Sequence, residues 1–257
     1  MNYQAASSLA AAAHLGADDK FLAGGQSLLG AIKLGLATPA ALLDLRHLPE
    51  LQGITVSGST VRIGAATPHA LVAASADIQK AIPALADLAS RIGDRQVRNV
   101  GTLGGSLANN DPSACYPAAV LGLGATVHTD RRNIGADDYF QGLFTTALAE
   151  GEVITAVSFP VPMVAAWQKF KQPASRFSLV GVFVARFADG VRLAVTGAGA
   201  GVFRCAELEH ALGGDWSPAA ARAIKVSPDG LNSDLHGTAA YRAALIPELA
   251  ARAVAAA

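Results

Sequence analysis

Two glycine-rich turns carry the residues best suited to chemistry: Ala23-Gly24-Gly25-Gln26-Ser27 and Thr102-Leu103-Gly104-Gly105-Ser106. Each joins a pair of glycines to a hydroxyl side chain and lies beside a helical pattern. Glycine has no Cβ, so it adopts positive φ and lets a bulky anion approach its amide. Successive amides together with a helix start bind an anion without any lysine. One Gly-Gly-x-Ser alone reads more simply as a tight turn. Two hydroxyl-bearing copies, the second followed by Asn109, Asn110 and Asp111, make a diphosphate gripped from both sides about as good a reading as two plain turns.

Other phosphate and nucleophile motifs fail on position. Gly25 to Gly30 opens like a P-loop, but Ala31-Ile32 stand where Lys-Ser/Thr is required. Gly197, Gly199 and Gly201 follow a strand pattern, yet Val202 occupies the third glycine of a dinucleotide fingerprint. No G-x-S-x-G occurs. The 2 cysteines form no C-x-x-C and the 6 histidines no H-E-x-x-H, so no metal centre or iron–sulfur cluster held by this chain is expected. His47 and His69 lie near predicted turns and read as surface or capped histidines.

The elements that must position the two turns follow from periodicity. A helix over 4–15, a strand over 21–23, a helix over 26–36 and a strand over 41–45 form a compact α/β unit. A hairpin joins 55–57 to 61–63; Thr67 caps a helix with Pro68 at its first position; a further helix over 78–92 breaks near Pro83. Residues 98–110 read as irregular, and Asp111-Pro112 caps a helix running to 121. Strands over 125–129 and 153–159 follow, the second closed by Pro160 and Pro162. Beyond that boundary come a three-stranded antiparallel meander (167–171, 179–187, 191–196) and helices at 206–212, 218–225 and 238–257. The expected division is 1–160, with subdomains of about 1–52 and 53–160, then 161–257.

Composition narrows the partners. The 20 basic and 20 acidic side chains of the 257 residues cancel, which leaves no global field for nucleic acid or an anionic membrane. A hydrophobic fraction of 51% with 16% charged excludes disorder. Aromatics are only 6%, so the core packs small side chains or part of the apolar surface meets a partner. The uncharged stretch 112–129 holds two prolines and reads as buried helix plus strand, not as a membrane span. With no basic leader, a cytoplasmic setting is expected.

Phe21-Leu-Ala-Gly-Gly-Gln-Ser-Leu-Leu, Lys33-Leu-Gly-Leu-Ala and Leu43-Asp-Leu resemble the first flavin loop of the FAD-binding (medium) subunit of molybdenum hydroxylases, the family of carbon-monoxide dehydrogenase and xanthine dehydrogenase. Arg98-Asn-Val-Gly-Thr-Leu-Gly-Gly-Ser-Leu-Ala-Asn-Asn-Asp-Pro resembles its second loop. Gly142-Leu-Phe-Thr-Thr, Gly151-Glu-Val-Ile, Lys169-Phe-Lys-Gln-Pro-Ala-Ser, Val195-Thr-Gly-Ala-Gly and His236-Gly-Thr-Ala-Ala-Tyr-Arg extend the likeness over nearly the whole chain, in order.

The resemblance implies an α+β fold: a two-subdomain FAD-binding domain of the vanillyl-alcohol-oxidase type, then a small C-terminal domain with a three-stranded antiparallel sheet and helices. It implies that Leu22, Ala23, Gly24, Gly25, Gln26, Ser27 and Leu28 wrap the FAD diphosphate. Gly101, Thr102, Leu103, Gly104, Gly105 and Ser106 close over it, with Asn109 and Asp111 in the same loop. Ile92 and Ile154 match apolar contacts, and Lys171 a basic position near the flavin. Family members commonly carry an acid where Cys115 stands in Ala114-Cys115-Tyr116-Pro117, so Cys115 reads as a small buried filler. The implied partners are a large molybdopterin-binding subunit and a small 2Fe-2S subunit, with the flavin passing electrons to an external acceptor and no catalytic acid–base residue on this chain. A free-standing FAD-dependent oxidoreductase, or a scaffold subunit with weakened FAD binding, are the other readings.

Overall fold

The computed structural model describes residues 1–12 and 16–257. The chain opens with β1 (Asn2–Ala5), α1 (Leu9–Ala12), β2 (Lys20–Leu22), α2 (Leu28–Lys33) and β3 (Ala41–Asp44). The strands form a parallel sheet ordered β1-β3-β2. The helix expected over 4–15 is thus corrected at its start, and its last residues, 13–15, lie outside the described ones. Residues 2–5 pair along β3, and the Tyr3 hydroxyl donates to Asp44 Oδ2 (2.7 Å), so pairing overrides the helical preference of the alanines that follow. α2 is shorter than its periodicity suggests, and Gly35 just beyond it takes φ +71°. Leu45, Leu48 and Leu51 pack with Ala6, Ala12, Ala66 and Val153 into a small core that joins this unit to the next.

The middle of the chain holds β4 (Ile54–Ser57), β5 (Thr60–Gly64), α3 (His69–Ala74), α4 (Ala76–Ala81), α5 (Pro83–Ser90), α6 (Arg95–Val100), α7 (Leu103–Asn109) and α8 (Tyr116–Gly122). After them come β6 (Thr126–Thr129), β7 (Asn133–Gly135), α9 (Ala136–Tyr139), β8 (Phe140–Gly142), β9 (Thr145–Thr146) and β10 (Ile154–Pro160). Five strands form an antiparallel sheet, β4-β5-β10-β6-β7.

Three local expectations change here. The run 98–110 is not irregular: Asp94 accepts from Val97 N (2.8 Å) to cap α6, and Thr102 Oγ1 accepts from Gly105 N (3.2 Å) to cap α7. Pro68, not Thr67, is the N-cap of α3, and the Thr67 hydroxyl donates to Gly53 O (3.2 Å). Asp111 accepts from Ser113 N (2.8 Å) in a turn, so it does not cap α8, which starts at Tyr116.

The last part contains β11 (Val164–Lys171), β12 (Ser178–Phe187), β13 (Gly190–Thr196), β14 (Phe203–Arg204), α10 (Ala206–Gly214), α11 (Pro218–Ala223) and α12 (Ala239–Ala255). The sheet has four strands, β11-β12-β13-β14, not three; β14 is only two residues long, too short to show a period. Both faces of this sheet are covered. Trp167, Phe183, Ala185 and Ala194 join the core of the middle unit, with Leu88, Val120 and Phe159. Val180, Val182, Val184, Leu193 and Val195 pack on the other side against Leu208, Leu212, Ile246 and Leu249. Among the described residues, no helix is long and apolar enough to cross a membrane.

Candidate cofactor site

The two glycine turns meet. A Cβ built on Gly24 would fall 2.5 Å from both Gly101 Cα and Val100 O, so main chain touches main chain only because residue 24 is glycine. Gly25 takes φ +66° and turns the chain from β2 into α2. A Cβ on Gly105 would lie 3.4 Å from Ala23 Cβ, which extends the meeting along both turns. Gly104 has a different reason for its identity. Its Cβ would strike Ala65 Cβ at 2.6 Å, so glycine there lets α7 pack close to the end of β5.

Beside this contact lies a cleft of about 620 Å³, within the usual range for small-molecule sites. From the first turn Ala23, Gly24, Gly25, Gln26, Ser27 and Leu28 line it. From the second come Gly101, Thr102, Gly104, Gly105 and Ser106, followed by Asn109 and Asp111. Ile92 and Ile154 line it as apolar walls. Three expected residues do not. Leu22 and Leu103 are buried beneath the turns, and Lys171 is exposed outside the cleft. A register shift between Phe170 and Lys171 breaks the strand alternation, and Lys169 takes the place on the cleft wall instead.

The amides of the two turns differ. Those of Gly24, Gly25, Gln26, Ser27 and Leu28 have no acceptor among the described residues. At the start of α7, Leu103 N donates to Thr67 O (3.3 Å), Gly104 N to Ala65 O (2.8 Å) and Gly105 N to Thr102 Oγ1 (3.2 Å). Unpaired donors for an anion therefore come mostly from the first turn, with the Thr102 amide added from the second. The second turn supplies close glycine surfaces and the Ser106 side chain. The two sides of the expected grip are thus unequal, because the Leu103 and Gly104 amides tie α7 to the segment just after β5 and the Gly105 amide is held by the helix cap.

Several lining residues escape the sequence reading. His69, expected as a surface or capped histidine, is 5% exposed, with its ring centroid 5.3 Å from that of Tyr116 and its Nδ1 unpartnered. Burial, aided by the Arg98 charge, lowers its pKa to about 4, which keeps the imidazole neutral. Glu152 accepts from Arg132 Nε (3.0 Å) and Nη2 (3.0 Å), from Thr129 Oγ1 (2.7 Å) and from Ala149 N (2.7 Å). The Arg132 hydrogen bonds lead in lowering its pKa to about 2. Cys115 is buried as expected, with Sγ 3.4 Å from Lys169 Nζ and 3.6 Å from Ser178 Oγ. Lys20 and Arg176 add further cations to the lining. The Glu152 partners are spread along the chain, and only the fold gathers them. His69, first residue of a short helix, carries no burial signal in its neighbours.

Unpaired amides beside cations suit a diphosphate, and the apolar walls suit flat rings, so the residues present fit an extended dinucleotide. Among the described residues, no group of three or more His, Cys, Asp or Glu side chains forms a metal site.

The model of the family described as FAD binding domain in molybdopterin dehydrogenase matches residues 1–162. The nicotine 6-hydroxylase medium subunit of Paenarthrobacter nicotinovorans is 36% identical over 252 residues, 92% of this chain and 89% of that protein. The carbon monoxide dehydrogenase medium chain of Hydrogenophaga pseudoflava is 34% identical over 256 residues, 93% of this chain and 89% of that one. A solved structure of the Hydrogenophaga pseudoflava carbon monoxide dehydrogenase superposes with a TM-score of 0.89 at 34% identity, covering 100% of this chain and 96% of its counterpart. Quinoline 2-oxidoreductase from Pseudomonas putida 86 gives 0.88 at 28% identity, covering 100% and 96%. Matched along both turns and through the C-terminal sheet, the chain belongs to the FAD-binding subunits of molybdopterin dehydrogenases.

Proposed function

We propose that this chain is the FAD-carrying, electron-transfer subunit of a cytoplasmic molybdenum-containing hydroxylase or dehydrogenase complex. Its partners are a large molybdopterin-binding subunit and a small 2Fe-2S subunit, and it delivers electrons to an external acceptor. The observation that carries this reading is the meeting of the two glycine turns over a cleft lined by unpaired amides, most of them from the first turn. Residues 1–160 hold the cofactor, and residues 161–257 add a wall through Lys169 and Arg176.

When bound, FAD exchanges electrons with both one-electron and two-electron carriers. The protein's part is binding and electrostatics. Amides 24–28 and the Ser27 hydroxyl hold the diphosphate. Gly101, Thr102, Gly104, Gly105 and Ser106 shape the facing wall, and Asn109 and Asp111 extend it. Ile92 and Ile154 exclude water from the rings, and Lys169, in place of Lys171, supplies the positive charge. Leu22 and Leu103 support the turns from below. No side chain of this chain is required to break a substrate bond.

The test is the cofactor content of the protein purified with whatever accompanies it. About one FAD per chain, with molybdenum and iron on co-purifying subunits, is expected. FAD without molybdenum and iron supports a free-standing oxidoreductase, and absence of FAD a scaffold.

A further inference from the structure

Phe144 stands at the tip of the β8–β9 hairpin, lines the cleft and is 57% exposed. Its φ is +51°, a region where a bulky residue is an outlier and glycine the ordinary occupant. Being exposed, the ring has little packing to offset that conformation. A clamp imposes it instead. Asn110 Nδ2 donates to Gly142 O (2.9 Å) and Thr145 O (2.7 Å), straddling the tip. Asn110 is 1% exposed, takes φ +43° itself and ends α7, the helix that starts on the second glycine turn. Its Oδ1 has no partner, so the buried amide is held through its donor alone. Among the described residues, the non-glycine positions with positive φ are Asn110, Phe144 and Arg176; Phe144 and Arg176 both line the cleft. Backbone strain of this kind persists where the surroundings enforce it, and it collects at ligand sites.

We propose that Phe144 is a cofactor-contact residue whose ring lies against a flat heteroaromatic ring of the bound dinucleotide, and that Asn110 is the positioning residue holding it there. This rests on the reading of the cleft as an FAD site. FAD carries a flat ring at each end, and the ligand arms of the test distinguish the isoalloxazine from the adenine.

The experiment titrates the FAD-stripped full chain with FAD and with ADP, alongside thermal unfolding of the apoprotein. Phe144→Gly removes the ring but suits the left-handed backbone. Its FAD affinity should fall roughly tenfold while the apoprotein melting temperature holds or rises. Phe144→Tyr should restore FAD binding to within about twofold of wild type. Weakening of ADP by the same factor assigns the contact to the adenine; unchanged ADP binding assigns it to the isoalloxazine. Asn110→Gly keeps the left-handed residue and deletes the clamp, so FAD should weaken, and the double variant should lose no more than Phe144→Gly alone. Unchanged FAD affinity in Phe144→Gly, or a parallel fall in melting temperature and affinity, overturns the contact. Full additivity in the double variant overturns the role of Asn110. A wild-type chain that takes up no FAD overturns the cofactor reading itself.

Discussion

At Gly24 and Gly30, a few residues apart on one turn and its helix, the same substitution should have different outcomes. A methyl group at Gly24 would meet the backbone of Gly101 and Val100, which cannot swing aside, whereas nothing lies within 4 Å of a Cβ on Gly30. Gly24→Ala should weaken FAD binding by about 1–3 kcal/mol in a titration, from overpacking where the turns touch. Gly30→Ala should leave binding intact and raise stability by about 0.5–1 kcal/mol, the usual gain in a helix interior. Both turns are legible in the sequence as glycine pairs with a hydroxyl. Which glycines serve conformation and which serve approach is not: of the two pairs only Gly25 has positive φ, Gly24 and Gly104 answer to neighbours distant in the chain, and Gly105 makes room for the Thr102 cap. His69 is hidden for a related reason, since its burial comes from Tyr116 and the second turn. Its lowered pKa means that the unfolded chain binds a proton near pH 6.5 that the folded chain refuses until about 4. Stability should therefore fall as pH drops through that window, by at most roughly 1.4 kcal/mol per unit, and His69→Gln should flatten the slope in denaturant titrations.

Glu152 ties three segments together: Thr129 at the end of β6, Arg132 in the turn before β7, and the Ala149 amide ahead of β10. Its carboxylate is held below the ordinary 4.5, at about 2, first by the Arg132 hydrogen bonds. The stabilisation is complete above about pH 4.5 and is lost as pH falls through about 2, because the folded form then takes up a proton the unfolded form already carries. Glu152→Gln should cost roughly 1–3 kcal/mol at pH 7, and the gap between variant and wild type should close across that acid range. The elements themselves are largely legible. Alternation and turn residues place β5, β10, β12 and β13, and Pro83 marks the break between α4 and α5. The helices around the second turn are not, since Gly101, Gly104 and Gly105 mask short helices that Asp94 and Thr102 cap. Likewise β1 forms because β3 is there to receive it.

For the molecule as a whole, the deciding feature is the sheet β11–β14, apolar on both faces and shared by two cores. The uninterrupted apolar run of β12 announces double-sided burial but does not say against what. A chain truncated after Pro160 would leave Leu88, Val120 and Phe159 without the Trp167 and Phe183 that cover them. Such a chain should show no cooperative thermal transition, whereas the full chain should unfold in one. The first fifty residues are attached more lightly, through the small leucine and alanine core and the bare-backbone meeting of Gly24 with Gly101. A ligand seated across that seam binds both sides at once, so occupancy is thermodynamically linked to docking of the N-terminal sheet. Amide hydrogen exchange should accordingly slow in β1 and β3 when FAD is added, although no residue of either strand lines the cleft.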